Sequence, residues 1–427
     1  MNVEVGLYGL ALLGILLVMR LPVALALMMV SFGGIWALIG FNPAMGILQN
    51  TPYDFVARWT MSAVPMFLLM GFVAFHTGLT GGLFEAAKVI LARLPGGLAI
   101  SSIFACSAFA AVSGSSLATA AAMGRIAIPE MVAAGYRPSI ATGAIAAGGT
   151  IGALIPPSIL MIIYGVIAET SITQVFVGGI SIGIFTAISY SIVVLLISYF
   201  RPDIIPPSAP YKTENAKSVL AQVAPVAILV LVVFGGLFSG KFTATEAGAV
   251  GALGTIIIAA VMGRLSYKSV KLSLMETVTT TGSLLIIGIG ATMFTRFLGI
   301  SGLSNFIAQA VGNAELSYLM LMLIIVAIYL ILGTFMEPFG AMLVTLPVFL
   351  PVLEAQQISL VWFGVLVVKL LEIGMITPPV GLNVFVIKNV ASQYATVVQI
   401  FKGVIPFLVA DLILVALMIL FPVIVIF

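Results

Sequence analysis

The chain has 427 residues, of which 62% are hydrophobic and 7% charged, with a net charge of +3 and a mean hydropathy of +1.28. A soluble globular domain carries about a quarter charged residues, so this composition excludes one, and no basic patch suits nucleic acid. A single cysteine, Cys106, and a single histidine, His76, exclude a disulfide framework, thiolate metal sites and most histidine-based catalysis. Neither an enzyme nor a resident cofactor is expected.

Apolar runs long enough for a bilayer recur from Val5 to Phe427, and their lengths argue for helices rather than barrel strands. The fold class is an all-α polytopic membrane protein. The N-terminus "MNVEVGLYGL" carries Glu4, no basic residue ahead of its apolar run and no nearby small-residue cleavage site, so the first helix is expected to remain. Helices are expected at about 5–19, 21–41 and 60–76, the last ending in His76, read as a polar helix-end residue in preference to a proton relay. A short Gly-led amphipathic arm follows at 80–93. The segment 101–129 breaks at "SGSS" into arms of about 12 residues, or about 18 Å as helix, where a span needs about 30 Å. It therefore reads as a re-entrant helical hairpin over about 97–133, tolerated in a bilayer only inside protein or beside a watery cavity. A long apolar segment at 139–168 is interrupted by the pair Pro156–Pro157 in "GALIPPS", and a closing helix spans about 174–200. "RPDIIPPSAPYKTENAK", 201–217, is Pro-rich and hydrophilic and reads as a cytoplasmic linker.

The second half repeats this order: helices at 222–239, 243–263 and 276–297, an arm at 300–312, and a hairpin at about 316–354 broken at "GTFMEP". A segment at 358–391 broken at "GMITPPV" and a helix at 400–427 complete it. Pro156 and Pro378 are 222 positions apart, as are Pro129 and Pro351, while Gly78 and Gly299, like Arg20 and Lys241, are 221 apart. Ordered landmarks at a near-constant offset argue for a duplicated unit, 1–200 and 218–427. Placing the basic connections "RPDIIPPSAPYKTENAK" and "GRLSYKSVK" inside makes the first hairpin enter from the cytoplasm and the second from outside, so the repeats are inverted. Arg20 and Lys241 then fall on opposite faces, and one of them conflicts with the charge rule.

Proline lacks an N–H, so Pro156 and Pro157 would leave the carbonyls of Gly152 and Ala153 without helical partners, and Pro378 and Pro379 those of Gly374 and Met375. Oxygen ligands without histidine or cysteine suit a hard cation, and broken helices with unwound carbonyls hold sodium in secondary transporters. A kink in a packed helix is the bland alternative for one such motif; duplication beside a broken hairpin favours ion binding.

In order along the chain, "SGSS", "GALIPPS", "GTFMEP" and "TPPVGLNVF" resemble the large membrane (M) subunit of tripartite ATP-independent periplasmic (TRAP) transporters, within the ion-transporter superfamily of elevator proteins. The resemblance implies a scaffold plus a moving transport domain (about 97–170 and 316–391), with the Gly-rich arms as hinges. It implies a location in the bacterial inner membrane, with a separate small membrane (Q) subunit and a soluble periplasmic substrate-binding protein as partners. It also implies sodium-driven uptake of an organic acid. Carried over residue by residue, the first sodium site is Ser113, Ser115, Gly152, Ile155 and Pro157, and the second is Gly333, Thr334, Glu337, Gly374, Thr377 and Pro379. Glu337 is alternatively a substrate contact or part of a structural pair.

An anionic substrate needs donors and positive potential, for which Ser115, Ser116, Ser158, Thr377 and Asn383 are the candidate donors and Arg125 and Arg296 the candidate counter-charges. Bland alternatives are an Arg125–Glu130 pair or a snorkelling Arg125, an Arg296 that caps its helix at the interface, and an on-helix Lys369–Glu372 pair at three-residue spacing. A sialic acid such as N-acetylneuraminate is the expected substrate. The rival reading is a stand-alone sodium- or proton-coupled dicarboxylate carrier of the same superfamily. An enzyme lacks a catalytic constellation, and a channel has no need of two inverted hairpins.

Overall fold

A computed structural model describes residues 2–206, 216–314 and 316–426, and every regular element among them is helical. The first half runs through α1 (Val3–Val18), α2 (Val23–Ile39), α3 (Phe41–Val56) and α4 (Ala63–His76), then the short arm α5 (Gly82–Leu91). The hairpin α6 (Gly97–Ser113) and α7 (Ser116–Ala133) follows, then the broken pair α8 (Pro138–Thr150) and α9 (Ile159–Ile167), and α10 (Ile172–Phe200). The second half comprises α11 (Ala216–Phe238), α12 (Ala244–Val261), α13 (Tyr267–Ser301) and the arm α14 (Leu303–Asn313). Its hairpin is α15 (Tyr318–Phe335) with α16 (Pro338–Ala355), its broken pair α17 (Leu360–Gly374) with α18 (Leu382–Val390), and α19 (Val397–Leu420) closes the chain.

Side-chain oxygens at the turns start these helices. Ser115 accepts from the Ala118 N–H at the head of α7, Ser158 from Met161 at α9, and Glu337 from Gly340 at α16. Each satisfies one of the backbone donors that a helix N-terminus leaves unpaired. The tip of the first hairpin turns at Gly114, with φ +62°. Only glycine takes this conformation without strain, and a Cβ there would run into the Pro157 carbonyl oxygen. The peptide bonds Pro156–Pro157 and Pro378–Pro379 are both cis.

Three differences from the sequence reading have local causes. α3 was not expected, because "FNPAMGILQNTPYDFV" is polar and holds Pro43 and Pro52; Pro43 sits in the first turn, where no N–H is needed, and only Pro52 is internal. α13 extends over 35 residues, well ahead of the expected 276–297, because Ser266 and Ser269 form a reciprocal cap before its polar first turns. The hairpin arms are longer than 12 residues: α6 has 17 and α7 has 18, or about 25–27 Å, since the helix continues through Pro129. By length and composition eight described helices are able to cross a membrane, α15 and α16 among them.

Two cores organise the packing. α2, α4, α12 and α13 pack on one another, with α1, α3 and α11 around them. The first hairpin shares a separate core with α5, α8, α10, α18 and α19, while α9 and α15–α17 belong to the larger core with α4 and α13. The broken helices of the two halves pack on one another, α18 against α8 and α17 against α9. Of the linker expected at 201–217, residues 201–206 are anchored: Asp203 bridges Arg137 (2.8 Å) and Arg201 (3.1 Å), and the hydrogen bond from Arg201 holds its carboxyl below the usual range. Residues 207–215 lie outside the described residues.

Candidate transport cavity

A cavity of ≈ 480 Å³ lies where the two hairpin tips meet the two helix breaks. Ser113–Ala118 of the first tip and Glu337–Phe339 of the second line it, with Ala153, Ile159 and Leu160 from one broken pair and Glu372, Met375 and Leu382 from the other. α4 and α13 close it through Leu68, Gly71, Phe72, Phe75, Glu276 and Thr280. α4 is packed directly on the tip, since a Cβ at Gly71 would lie 2.9 Å from the Ser113 carbonyl oxygen.

Each hairpin packs at its tip against the broken helix pair of its own half. A Cβ at Gly152 would lie 2.8 Å from both the Ser115 carbonyl oxygen and Thr119 Oγ1. Around that point Ser113 Oγ is 3.0 Å from Thr119 Oγ1, which donates to the Ser115 carbonyl at 2.8 Å. Ser113, Ser115 and Gly152 are thus neighbours, and Pro157 presents its carbonyl to Gly114. Thr119 escaped the sequence reading; its one signal is its position a helical turn beyond Ser115. In the second half a Cβ at Gly374 would lie 2.6 Å from the Gly333 carbonyl oxygen, so Gly333 and Gly374 adjoin.

Other side chains adopt roles that sequence left open. The carbonyls of Gly374 and Met375 are not orphaned: they accept from Thr377 N–H (3.1 Å) and Asn383 N–H (3.0 Å). Thr377 donates in a turn just before the prolines and Asn383 from the chain that folds back after them, leaving one lone pair on each oxygen. Thr334 and Thr377 donate to the carbonyls of Ile331 (2.7 Å) and Ile373 (2.6 Å) on their own helices. Ser158 is buried as the cap of α9, Ile155 is half-buried, Pro379 is exposed, and Asn383 donates to the Ala146 carbonyl on α8 at 3.3 Å. Of the five side-chain-bearing residues singled out at the tips, Ser113, Ser115, Ser116 and Glu337 reach the cavity wall.

The expected counter-charges stand elsewhere. Arg296 donates to Thr51 (3.1 Å) and Asp54 (3.4 Å), pinning α13 to α3, and Arg125 is exposed on α7. Glu130 is taken by Lys88 at 2.7 Å. The Lys369–Glu372 pair does not form either: Lys369 binds Asp411 at 2.5 Å, while Glu372 accepts from Ser116 at 2.7 Å. Side chains three apart on a helix diverge when stronger partners face them from other helices. Among the described residues the cavity wall holds three carboxylates, Glu276, Glu337 and Glu372, and no lysine or arginine. Positive partial charge at the wall comes from backbone: the first turns of α7, α9, α16 and α18 all border it, and helix N-termini carry partial positive charge. His76, at the end of α4, lies 3.1 Å from Glu276.

Residues 10–424 match the model of the family described as tripartite ATP-independent periplasmic transporter, DctM component. The chain belongs to the DctM family of TRAP transporters. It is 34% identical over 371 residues to the C4-dicarboxylate TRAP transporter large permease protein DctM of Pseudomonas aeruginosa, covering 83% of this chain and 85% of that one. To the sialic acid TRAP transporter large permease protein SiaM of Vibrio cholerae it is 34% identical over 377 residues, covering 86% and 85%. The isethionate TRAP transporter permease protein DctMQ of Oleidesulfovibrio alaskensis is also 34% identical, over 84% of this chain but 57% of that longer protein. The fold resembles the Alcanivorax borkumensis YdaH transporter, with a TM-score of 0.64 at 16% identity over 90% of this chain and 89% of that one. The DctM chain is thus a TRAP large permease, a multi-pass protein of the bacterial inner membrane.

Proposed function

We propose that this DctM permease drives sodium-coupled uptake of an organic acid, receiving it from a periplasmic binding protein and working with a separate small membrane subunit. The observation that carries the reading is the cavity between both hairpin tips, each tip packed in backbone contact against the broken helix pair of its own half. Clustered hydroxyl and carbonyl oxygens at Ser113, Ser115, Thr119 and Gly152 suit a hard monovalent cation, and the second site forms around Gly333 and Gly374, with Thr334, Glu337, Thr377 and Pro379 beside them. Bound sodium and four helix N-termini then supply the positive charge that an organic anion requires.

Relatives of equal identity are named for a C4-dicarboxylate, a sialic acid and isethionate. The wall chemistry favours the sialic acid: carboxylates at Glu276, Glu337 and Glu372 accept from hydroxyl and amide groups that N-acetylneuraminate bears and succinate lacks. Transport proceeds by sliding the hairpins and broken helices past the scaffold of α1–α4 and α11–α13, with the two hairpins entering from opposite faces. The test is initial uptake of a panel of acids into proteoliposomes holding both membrane subunits, with a saturating binding protein and imposed sodium or proton gradients. Sodium-driven accumulation of N-acetylneuraminate supports the reading; uptake driven by protons alone overturns sodium coupling.

A further inference from the structure

Lys369 on α17 and Asp411 on α19 are fully buried and 2.5 Å apart, beside α10 and α19, both long and apolar enough to cross a membrane. Ionised groups at that depth are costly to bury, and a well-packed apolar pair would hold the helices together as firmly. Their surroundings indicate a different role. The other Asp411 oxygen accepts from the Tyr190 hydroxyl on α10 at 2.7 Å, and that hydroxyl lies 3.3 Å from Thr150 Oγ1 on α8. Lys369 also donates to Thr186 on α10 at 3.1 Å. All five side chains are buried.

One end of this chain of contacts lies in the last turn before the first helix break and the other within two turns of the second. Thr150 is the final residue of α8, next to the turn Ile151–Ala153 that carries Gly152 of the first proposed ion site. Lys369 stands five residues, about 7.5 Å along the helix, before Gly374 of the second. α8 belongs to the first half and α17 to the second, so the contacts cross between halves through α10 and α19. We propose that Thr150, Tyr190, Asp411 and Lys369 couple the two ion sites, so that filling one sets the position of the carbonyls at the other. This rests on the sodium reading given above. The four are positioning residues: none lines the cavity. A contiguous network with two arrangements is the physical form that coupling between sites takes, and coupling of ordinary strength changes affinity by about 5–150-fold.

The test uses the complex of both membrane subunits in proteoliposomes, with N-acetylneuraminate and its binding protein saturating and uptake measured against sodium. Tyr190→Phe keeps the ring and removes the hydroxyl joining Thr150 to Asp411. Its Hill coefficient for sodium is expected to fall from about 2 toward about 1 and its half-saturating sodium to rise about 5-fold or more. Tyr164→Phe is the control: Tyr164 is equally buried, but its hydroxyl donates to the Leu360 carbonyl, off this path, and its sodium curve should match wild type. Should Tyr190→Phe fail to assemble, the neutral pair Lys369→Met with Asp411→Leu gives the same readout. Sodium-driven uptake with an unchanged curve in the variant, or an equal change in the control, overturns the coupling. Wild-type uptake indifferent to sodium overturns the sodium reading itself, and the coupling with it.

Discussion

Ser116 Oγ donates to Glu372 Oε1 at 2.7 Å, joining the first hairpin tip to the broken helix of the other half. The second carboxylate oxygen, Oε2, is buried without a partner. Ser116→Ala would leave both oxygens unpaired and is expected to lower the stability of the purified complex by about 1–3 kcal/mol. Glu372→Gln keeps an acceptor for Ser116 and avoids placing any charge in this buried site, so its melting temperature should equal or exceed wild type. A lower melting temperature for Glu372→Gln than for Ser116→Ala would contradict this account.

Gly114→Ala places a Cβ in the left-handed region and against the Pro157 carbonyl. The backbone conformation alone costs about 1–2 kcal/mol, and the contact adds to it, so the variant should lose most uptake while still reaching the membrane. Gly33→Ala on α2 meets open space and should be neutral or stabilising by up to about 1 kcal/mol. Quantifying membrane expression and initial uptake side by side decides the matter.

Lys369→Met by itself abandons Asp411 as an unpaired buried charge, a change of about 3–5 kcal/mol. The double variant Lys369→Met with Asp411→Leu removes both charges and should recover most of that loss. Fluorescence-detected thermal unfolding of the detergent-solubilised complex measures both, and equal instability of single and double variants would refute the ion-pair explanation.

Ser115→Ala removes a hydroxyl at the first tip and should raise the sodium needed for half-maximal uptake. Thr377→Ala should do so less, because the Thr377 hydroxyl already donates to the Ile373 carbonyl at 2.6 Å. Titrating sodium at fixed N-acetylneuraminate ranks the two, and the reverse order would remove the first site from its proposed place.

A disulfide engineered between α4 and α6, which pack together at the first tip, should halt uptake in a Cys106→Ser background and release it on reduction. Undiminished turnover with the crosslink fully formed would rule out sliding of the hairpins past the scaffold.

Composition alone made this a helical membrane protein, because burying 62% apolar residues in one chain needs a lipid solvent. The chain also announced its breaks. "SGSS" and the two Pro-Pro pairs are local backbone chemistry: a glycine that accepts positive φ and prolines without N–H act within a few residues wherever the helix lies. That is why the turns at Gly114 and Glu337 and the interruptions at Pro156 and Pro378 were legible. Partner choice among side chains was not. Lys369 and Glu372 are three apart and opposite in charge, yet each binds a residue on another helix, Asp411 and Ser116, 42 and 256 positions away. Arg296, costly inside a membrane, looked like a counter-charge until α3 brought Asp54 and Thr51 to it. Periodicity and spacing describe one helix at a time; which charged groups meet, and that helix N-termini rather than arginines border the cavity, depends on how helices from both halves cross. Only the tertiary structure fixes that, because the contacts lie between segments whose separation in sequence carries no information about their distance in space.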